Sequence, residues 1–373
     1  MYQIAESNDG ALFYSDYQEI RQGKKIHHPT LEYQTGSIRN DFDFGQLLLF
    51  RNDSFQQVVA QMNTDYRFAA LYELRLSISR LGKIVHIPET LYTVQPTDLR
   101  LSGEKQFDYV DPANREVQLE MEAVCTAHLQ AIGAWLAPEF QRIDFGQENF
   151  AREASVIIPV RNRKRTIAEA VESALQQQTD FSFNVIVVDN HSTDGTGQIL
   201  TELSRRYPNL IHHIPASTEL GIGGCWTEAI LLPECGKFAI QLDSDDLYKD
   251  CHVLQRIVDT FYQENCAMVI GSYQMVDFKL EEIPPGLIAH REWTPDNGRN
   301  NALRINGLGA PRAFYTPVLR QIKFPNVSYG EDYATALAIS RKYPIARIYD
   351  PLYLCRRWEE NSDHDLDIQQ LNN

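Results

Sequence analysis

Ser155-Val-Ile-Ile-Pro-Val160, Val185-Ile-Val-Val-Asp189 and Gln241-Leu-Asp-Ser-Asp-Asp246 are short apolar runs that give way to polar or acidic residues at their C-terminal ends. Between the first two, Thr166 to Gln178 has the spacing of a helix. Strand, helix, strand with carboxylates at the strand ends is how an open parallel sheet presents a nucleotide site. The third run sets Asp243, Asp245 and Asp246 within four positions. That density of negative charge makes sense beside a divalent cation and a diphosphate.

Working outward, the pattern predicts strand 155–160, helix 166–178, strand 184–189, helix 194–206, strand 210–214, helix 222–231 and strand 237–242. A helix over about 250–264 and a strand over 267–273 follow. The expected class is α/β, with a mostly parallel sheet flanked by helices. Residues 279–306 are polar and carry Pro284-Pro-Gly286 and Asn297-Gly-Arg-Asn-Asn301. They read as a long irregular loop, which inside a compact domain is usually a lid or binding loop.

An internal repeat sets the domain plan. Ala11-Leu-Phe-Tyr-Ser-Asp-Tyr-Gln18 aligns without gaps on Ala267-Met-Val-Ile-Gly-Ser-Tyr-Gln274. Asn63-Thr-Asp-Tyr66 matches Gly330-Glu-Asp-Tyr333, and each precedes a helical stretch, 69–76 and 334–341. Each helix leads into a short strand and a Leu-Tyr pair, Leu91-Tyr92 and Leu352-Tyr353. The period is too long for a solenoid. Residues 1–105 therefore read as the back half of a domain whose complete copy is 151–373. Val117, Met121, Val124, Leu129, Ile132 and Leu136 mark 106–150 as a helical connector that Pro138 stops.

Composition excludes other classes. The chain has 373 residues, 43% of them hydrophobic, enough for two packed cores. A net charge of −15 makes it a poor binder of nucleic acid or anionic membrane. No apolar run approaches the roughly 18–20 residues that span a bilayer. The first twenty residues do not resemble a secretory signal. Six cysteines form no C-x-x-C pair and read as reduced thiols of a cytoplasmic protein.

The candidate residues carry two readings each. Asp243 and Asp245 suit Mn²⁺ or Mg²⁺, or form a solvated turn opening the next helix. Asp189 suits a base or ribose, or caps its own turn, with Ser192 and Asp194 as plain caps. Arg161, Arg163, Lys164 and Arg165 face phosphates or start a solvated helix. Gly221 and Gly223, in Leu220-Gly-Ile-Gly-Gly-Cys-Trp226, allow either a ligand or a packed helix to approach. Glu331 and Asp332 suit proton transfer, or stabilise a helix N-terminus by about 0.3–1 kcal/mol.

Val156-Ile-Ile-Pro-Val-Arg-Asn162, Val187-Val-Asp-Asn-His-Ser-Thr-Asp194 and Leu242-Asp-Ser-Asp-Asp246 resemble the nucleotide-binding half of family-2 glycosyltransferases. Gly330-Glu-Asp-Tyr333 resembles that family's Glu-Asp motif. The resemblance covers 151–360, and 11–95 as a truncated copy. It implies a Rossmann-like GT-A fold and a metal-dependent, inverting transfer. A sugar would pass from a UDP- or GDP-linked donor to a hydroxyl of a glycan or small acceptor. It implies that Pro159 and Asp189 frame the base, and that Asp243 and Asp245, flanking Ser244, hold ribose, metal and diphosphate. Asp332 would be the general base, beside Glu331. Arg356-Arg357-Trp358 resembles the Arg-Trp end of a motif of processive members, but Leu354 replaces its Gln. That departure argues against a processive synthase; Arg357 would still pair with diphosphate. Non-processive relatives carry His where Trp358 stands, so His364 or His290 is the candidate third metal ligand.

A non-catalytic sugar- or nucleotide-sugar-binding scaffold of the same fold is the second reading. Residues 1–105 lack the donor aspartates and have Thr64 opposite Glu331, so they are expected to serve as a scaffold, a sugar-chain surface or a dimer contact. A nucleotidyltransferase ranks below both, because Pro159-Val-Arg-Asn-Arg163 contains no glycine.

Overall fold

The computed structural model describes residues 1–358 apart from 64, 99, 101–104, 106, 107, 147, 148 and 292. These residues pack as two compact units. One comprises Met1–Trp135 and Asn300–Ile305; the other comprises Leu136–Arg299 and Asn306–Trp358.

The first unit runs α1 (Tyr2–Glu6), β1 (Leu12–Arg21), β2 (Lys24–His28), β3 (Leu49–Phe50), α2 (Asn52–Val59), α3 (Ala70–Ile78), β4 (Ile84–Val94) and α4 (Arg115–Ala131). β4 runs parallel to β1, while β2 and β3 pair with its two ends antiparallel. Tyr72 and Leu76 of α3 pack with Ile38 and with Val124, Cys125 and Leu129 of α4. The helix expected to reach Leu136 stops at Ala131. Gly133 takes φ +70°, the left-handed conformation that ends helices and that glycine adopts without strain.

The second unit runs β5 (Ala154–Val160), α5 (Ile167–Leu175), β6 (Phe183–Asp189), α6 (Thr196–Arg206), β7 (Leu210–His213), α7 (Ile222–Leu231), β8 (Phe238–Gln241), β9 (Leu247–Tyr248), α8 (Val253–Glu264), β10 (Met268–Val276), β11 (Glu282–Ile288), β12 (Arg312–Tyr315), α9 (Thr316–Ile322), α10 (Glu331–Ser340) and β13 (Ile345–Arg356). Its sheet has the order β7-β6-β5-β8-β12-β10-β13-β9, with β11 on β10. It is parallel from β7 through β8. β12 then runs antiparallel to β8 and β10, and β10 pairs parallel with β13.

Side-chain chemistry explains the parallel half. Val185 to Val188 are fully buried, as a strand covered on both faces requires. Pro159 lies two residues past the last β5–β8 pair, Ile157 with Gln241, where no bond of that ladder is forfeited. Under the sheet, Phe238 stacks on Phe261 at 4.3 Å. The stretch 279–306 is not irregular throughout, because Glu282–Ile288 forms β11. Pro284 and Pro285 hid that strand. An edge strand with one partner tolerates proline, since one side makes no ladder bonds.

β10 has the same set of neighbours as β1. Leu12 pairs with Ile84 and Tyr17 with Tyr92 in the first unit. Met268 pairs with Ile345 and Tyr273 with Tyr353 in the second. Both ladders shift register between those two pairs.

Candidate active site

The C-terminal ends of β5, β6 and β8 carry the loops 161–166, 190–195 and 242–246, the end where open parallel sheets bind ligands. The first two loops are tied together. Asn162 N–H donates to Ser192 Oγ at 2.9 Å, Thr193 N–H to Asn162 Oδ1 at 2.8 Å, and Lys164 N–H to Asp194 Oδ2 at 3.0 Å. Asp194 also accepts from Thr196 N–H in its own turn, as a cap would, whereas Ser192 Oγ ties its loop to the neighbouring one instead of capping the helix, which starts after Gly195. Arg161 is exposed at the mouth of the first loop, and Pro159 is half-buried in β5.

Asp189 is buried at the end of β6. Ser192 N–H donates to one oxygen at 2.9 Å, and His212 Nε2 lies 3.3 Å from the other. Burial alone would push its carboxyl up, but the bonds from His212 and Ser192 outweigh it and hold the group below its usual range. Its neighbour Asn190 donates to Leu220 O, yet its buried Oδ1 has no partner. A buried orphan acceptor at a strand end is open to a ligand donor. His212 and Asn190 both escaped the sequence reading.

The acidic turn after β8 is held from below. Asp243 N–H donates to Tyr353 Oη at 2.8 Å, and Tyr248 Oη donates to Gln241 O at 2.9 Å. Gln241 Nε2 donates to Asp243 Oδ1 at 2.9 Å. Asp246 accepts from Arg356 N–H at 2.7 Å, and the Arg356 guanidinium donates to Asp245 O. Trp358 Nε1 donates to Asp245 Oδ2 at 3.1 Å, where Arg163 Nε also lies at 3.8 Å. Ser244 is buried, its carbonyl accepting from Thr166 Oγ1 at 2.9 Å.

The carboxyls of Asp243 and Asp246 are both pushed up, first by burial and then by their acidic neighbours, Asp245 foremost. Crowded carboxylates that repel one another in this way fit a hard cation. Among the described residues no three His, Cys, Asp or Glu side chains converge to hold an ion. His290 therefore does not complete a set with Asp243 and Asp245; it is buried beside Tyr273 and Gly309. His364 lies outside the described residues.

Gly330 at φ +72° starts α10 and presents Glu331 and Asp332 in its first turn. Arg312, at the head of β12, meets Asp332 Oδ2 at 2.6 Å. The same guanidinium donates to Gln241 Oε1 at 3.1 Å. Asp332, Arg312, Gln241 and Asp243 thus form one unbroken chain of contacts. Asp189 sits two strand spacings from β8, about 10 Å.

Glu331 is buried with one carboxylate oxygen unpartnered. Burial, and then the charge of Asp332, push its carboxyl up from 4.5 to about 7. Between those values the folded protein binds a proton that the unfolded chain does not, so stability falls as pH rises through this window. Glu331→Gln is expected to stabilise the protein at pH 8 by about 1–3 kcal/mol and to give no gain at pH 4.5. Equal changes in denaturation midpoint at the two pH values would refute the assignment.

Gly221 and Gly223 serve packing. A Cβ on Gly221 would lie 2.6 Å from the Val327 carbonyl carbon, and one on Gly223 2.0 Å from Pro325 O. The close approach they permit is to the loop 325–328. Arg356, the neighbour of Arg357, is the residue whose guanidinium is buried against the acidic turn.

Residues 155–322 match the family model described as glycosyl transferase family 2. An uncharacterized glycosyltransferase of Nostoc is 32% identical over 123 residues, 33% of this chain and 37% of the relative. The poly(ribitol-phosphate) beta-glucosyltransferase of Bacillus spizizenii is 25% identical over 210 residues, 54% of this chain and 32% of the relative. The chain thus spans about a third of the length of these relatives. A crystal structure of S. aureus TarS 1-349 in complex with UDP-GlcNAc is 24% identical, covers 58% of this chain and 61% of that one, and has a TM-score of 0.47. That likeness is too loose to place any residue.

Proposed function

From the premise that residues 155–322 form a glycosyl transferase family 2 domain, we propose that this chain moves a sugar from a nucleotide-sugar donor to an acceptor hydroxyl, inverting the anomeric centre. The observation that carries this reading is the chain from Asp332 through Arg312 and Gln241 to Asp243. It supports a reading in which Asp332 serves as proton acceptor beside a turn that binds the donor.

In this scheme Asp189 and Asn190 meet the base, and Asp243 and Asp245 meet the ribose and diphosphate. These two aspartates would also hold Mn²⁺ or Mg²⁺, with diphosphate oxygens completing the ion's shell. When bound, the ion offsets the negative charge that grows on the leaving diphosphate. Asp332 takes the proton of the acceptor hydroxyl, whose oxygen is a poor nucleophile until that proton is accepted. The oxygen forms its bond to the anomeric carbon as the carbon–phosphate-oxygen bond breaks, and the nucleoside diphosphate leaves with the electron pair. Arg163, 3.8 Å from Asp245, faces the leaving group. The donor is UDP- or GDP-linked, and the acceptor is a glycan or a small hydroxyl compound.

Thermal-shift assays with UDP-, GDP- and dTDP-sugars, with and without Mn²⁺, test the donor class. The matching donor, at 100 times its dissociation constant, is expected to stabilise the fold by about 2.7 kcal/mol. No shift with any nucleotide sugar would remove the enzymatic reading and leave a scaffold of the same fold.

A second reading concerns the first unit. Its ladders share register and register shift with β10 and β13, which supports a duplicated acceptor half at residues 1–105, joined through 106–150 to the complete domain at 151–373. It carries no counterpart of Asp243 to Asp246. Its role is then a scaffold, a sugar-chain surface or a dimer contact.

A further inference from the structure

Arg312 is held at four points. Its Nη2 meets Asp332 Oδ2 at 2.6 Å, its Nε donates to Leu308 O at 2.6 Å, and its Nη1 donates to Gln241 Oε1 at 3.1 Å. Its backbone N–H donates to the same Gln241 oxygen at 3.2 Å. The Arg312 side chain is 11% exposed, against 31% for that of Asp332. Gln241 then spends its amide N–H on Asp243 Oδ1 at 2.9 Å. A largely enclosed arginine whose bonds run to a carboxylate, a carbonyl and an amide has one orientation, because its fork is planar and rigid.

We propose that Arg312 is the positioning residue of the transfer step: it holds the Asp332 carboxylate in place and, through Gln241, locks it to the donor turn at Asp243. This rests on the reading of Asp332 as the base. Base and donor site lie on different elements, α10 and the turn after β8, and nothing in the local sequence of either sets their separation. Arg312 supplies that link from a third element. Its charge also acts on Glu331 and Asp243, lowering the cost of holding three carboxylates near one another.

The first unit supports a role tied to chemistry. Val269 pairs with Ala313 in β12, and Phe13 with Leu49 in β3. One residue back, Leu48 stands where Arg312 does, and it packs against the apolar cluster of Ala11, Leu12 and Ile78. The corresponding strand entry in the first unit is thus built without an arginine. The arginine occurs in the unit that has a donor turn to connect.

The test uses the full chain, its stabilising nucleotide sugar, and the variants Arg312→Gln, Arg312→Lys, Asp332→Asn and the Arg312→Gln/Asp332→Asn double. Arg312→Gln is expected to lower kcat about 100-fold with the donor KM unchanged, the loss expected of a misplaced reacting group. Arg312→Lys should recover part of that loss, because it restores the charge without the fork. In the Asp332→Asn background, Arg312→Gln should cost nothing further, because its effect passes through Asp332. Wild-type kcat in Arg312→Gln, or losses that multiply in the double variant, would overturn the proposal. Should Arg312→Gln melt without a donor shift, Arg312→Lys alone decides, wild-type kcat counting against it. If Asp332→Asn itself transfers sugar normally, the base assignment fails and this proposal falls with it. If Asp332→Asn is inactive and Arg312→Gln is not, only the proposal fails.

Discussion

Asp332→Asn is expected to cut sugar transfer by about 10²–10⁴-fold while donor binding survives. The side chain sits in the first turn of α10, half-buried, with one oxygen on Arg312 and the other accepting from the Tyr333 N–H at 2.6 Å. Asparagine keeps the shape and loses proton affinity. The donor turn is anchored by Tyr353, Gln241 and Arg356, none of which the substitution touches. Single-turnover transfer and equilibrium donor binding, measured on the same sample, check it. A variant that transfers at the normal rate, or one that loses transfer only because it no longer binds donor, would remove Asp332 from the mechanism. Glu331 is then the remaining carboxylate of the pair, with its burial and its unpartnered oxygen.

Asp245→Asn is expected to act in opposite directions on binding and on stability. Donor binding in the presence of Mn²⁺ should weaken by about 2–5 kcal/mol, the usual loss when one partner of a buried charge contact is removed. The ligand-free protein should become more stable, because Asp245 is a like charge that raises the carboxyls of Asp243 and Asp246. Melting curves with and without Mn²⁺ and donor separate the two effects. Donor binding equal to wild type in Mn²⁺ would remove Asp245 from the metal and diphosphate site.

Much of this protein was legible along the chain. The runs 155–160 and 185–189 are buried strands because an uninterrupted apolar stretch of that length has few other fates beside helices. The acidic turn announced itself by charge density. The turn role of Asp194 followed from its chemistry. β11 did not, because two prolines look like a break unless the strand is known to lie at an edge. Gly221 and Gly223 were ambiguous, since a glycine reports a close approach without saying what approaches.

The partners across the sheet were out of reach. Tyr353 meets Asp243 from 110 residues away, and Arg312 meets Gln241 from 71. Strand alternation tells which face a side chain occupies and says nothing of which strand lies beside it. Arg356 at the end of β13 reaches the Asp245 carbonyl from 111 residues away, a contact of the same origin.

Local chemistry alone determined the carboxylates, the strand ends that carry them and the order of elements, because hydrophobic period and charge are properties of neighbouring residues. The folded chain alone decided that Asp332 and Asp243 share one hydrogen-bonded line and that an arginine stands between them. That outcome depends on β12 entering antiparallel between β8 and β10, a pairing fixed by the packing of the whole sheet.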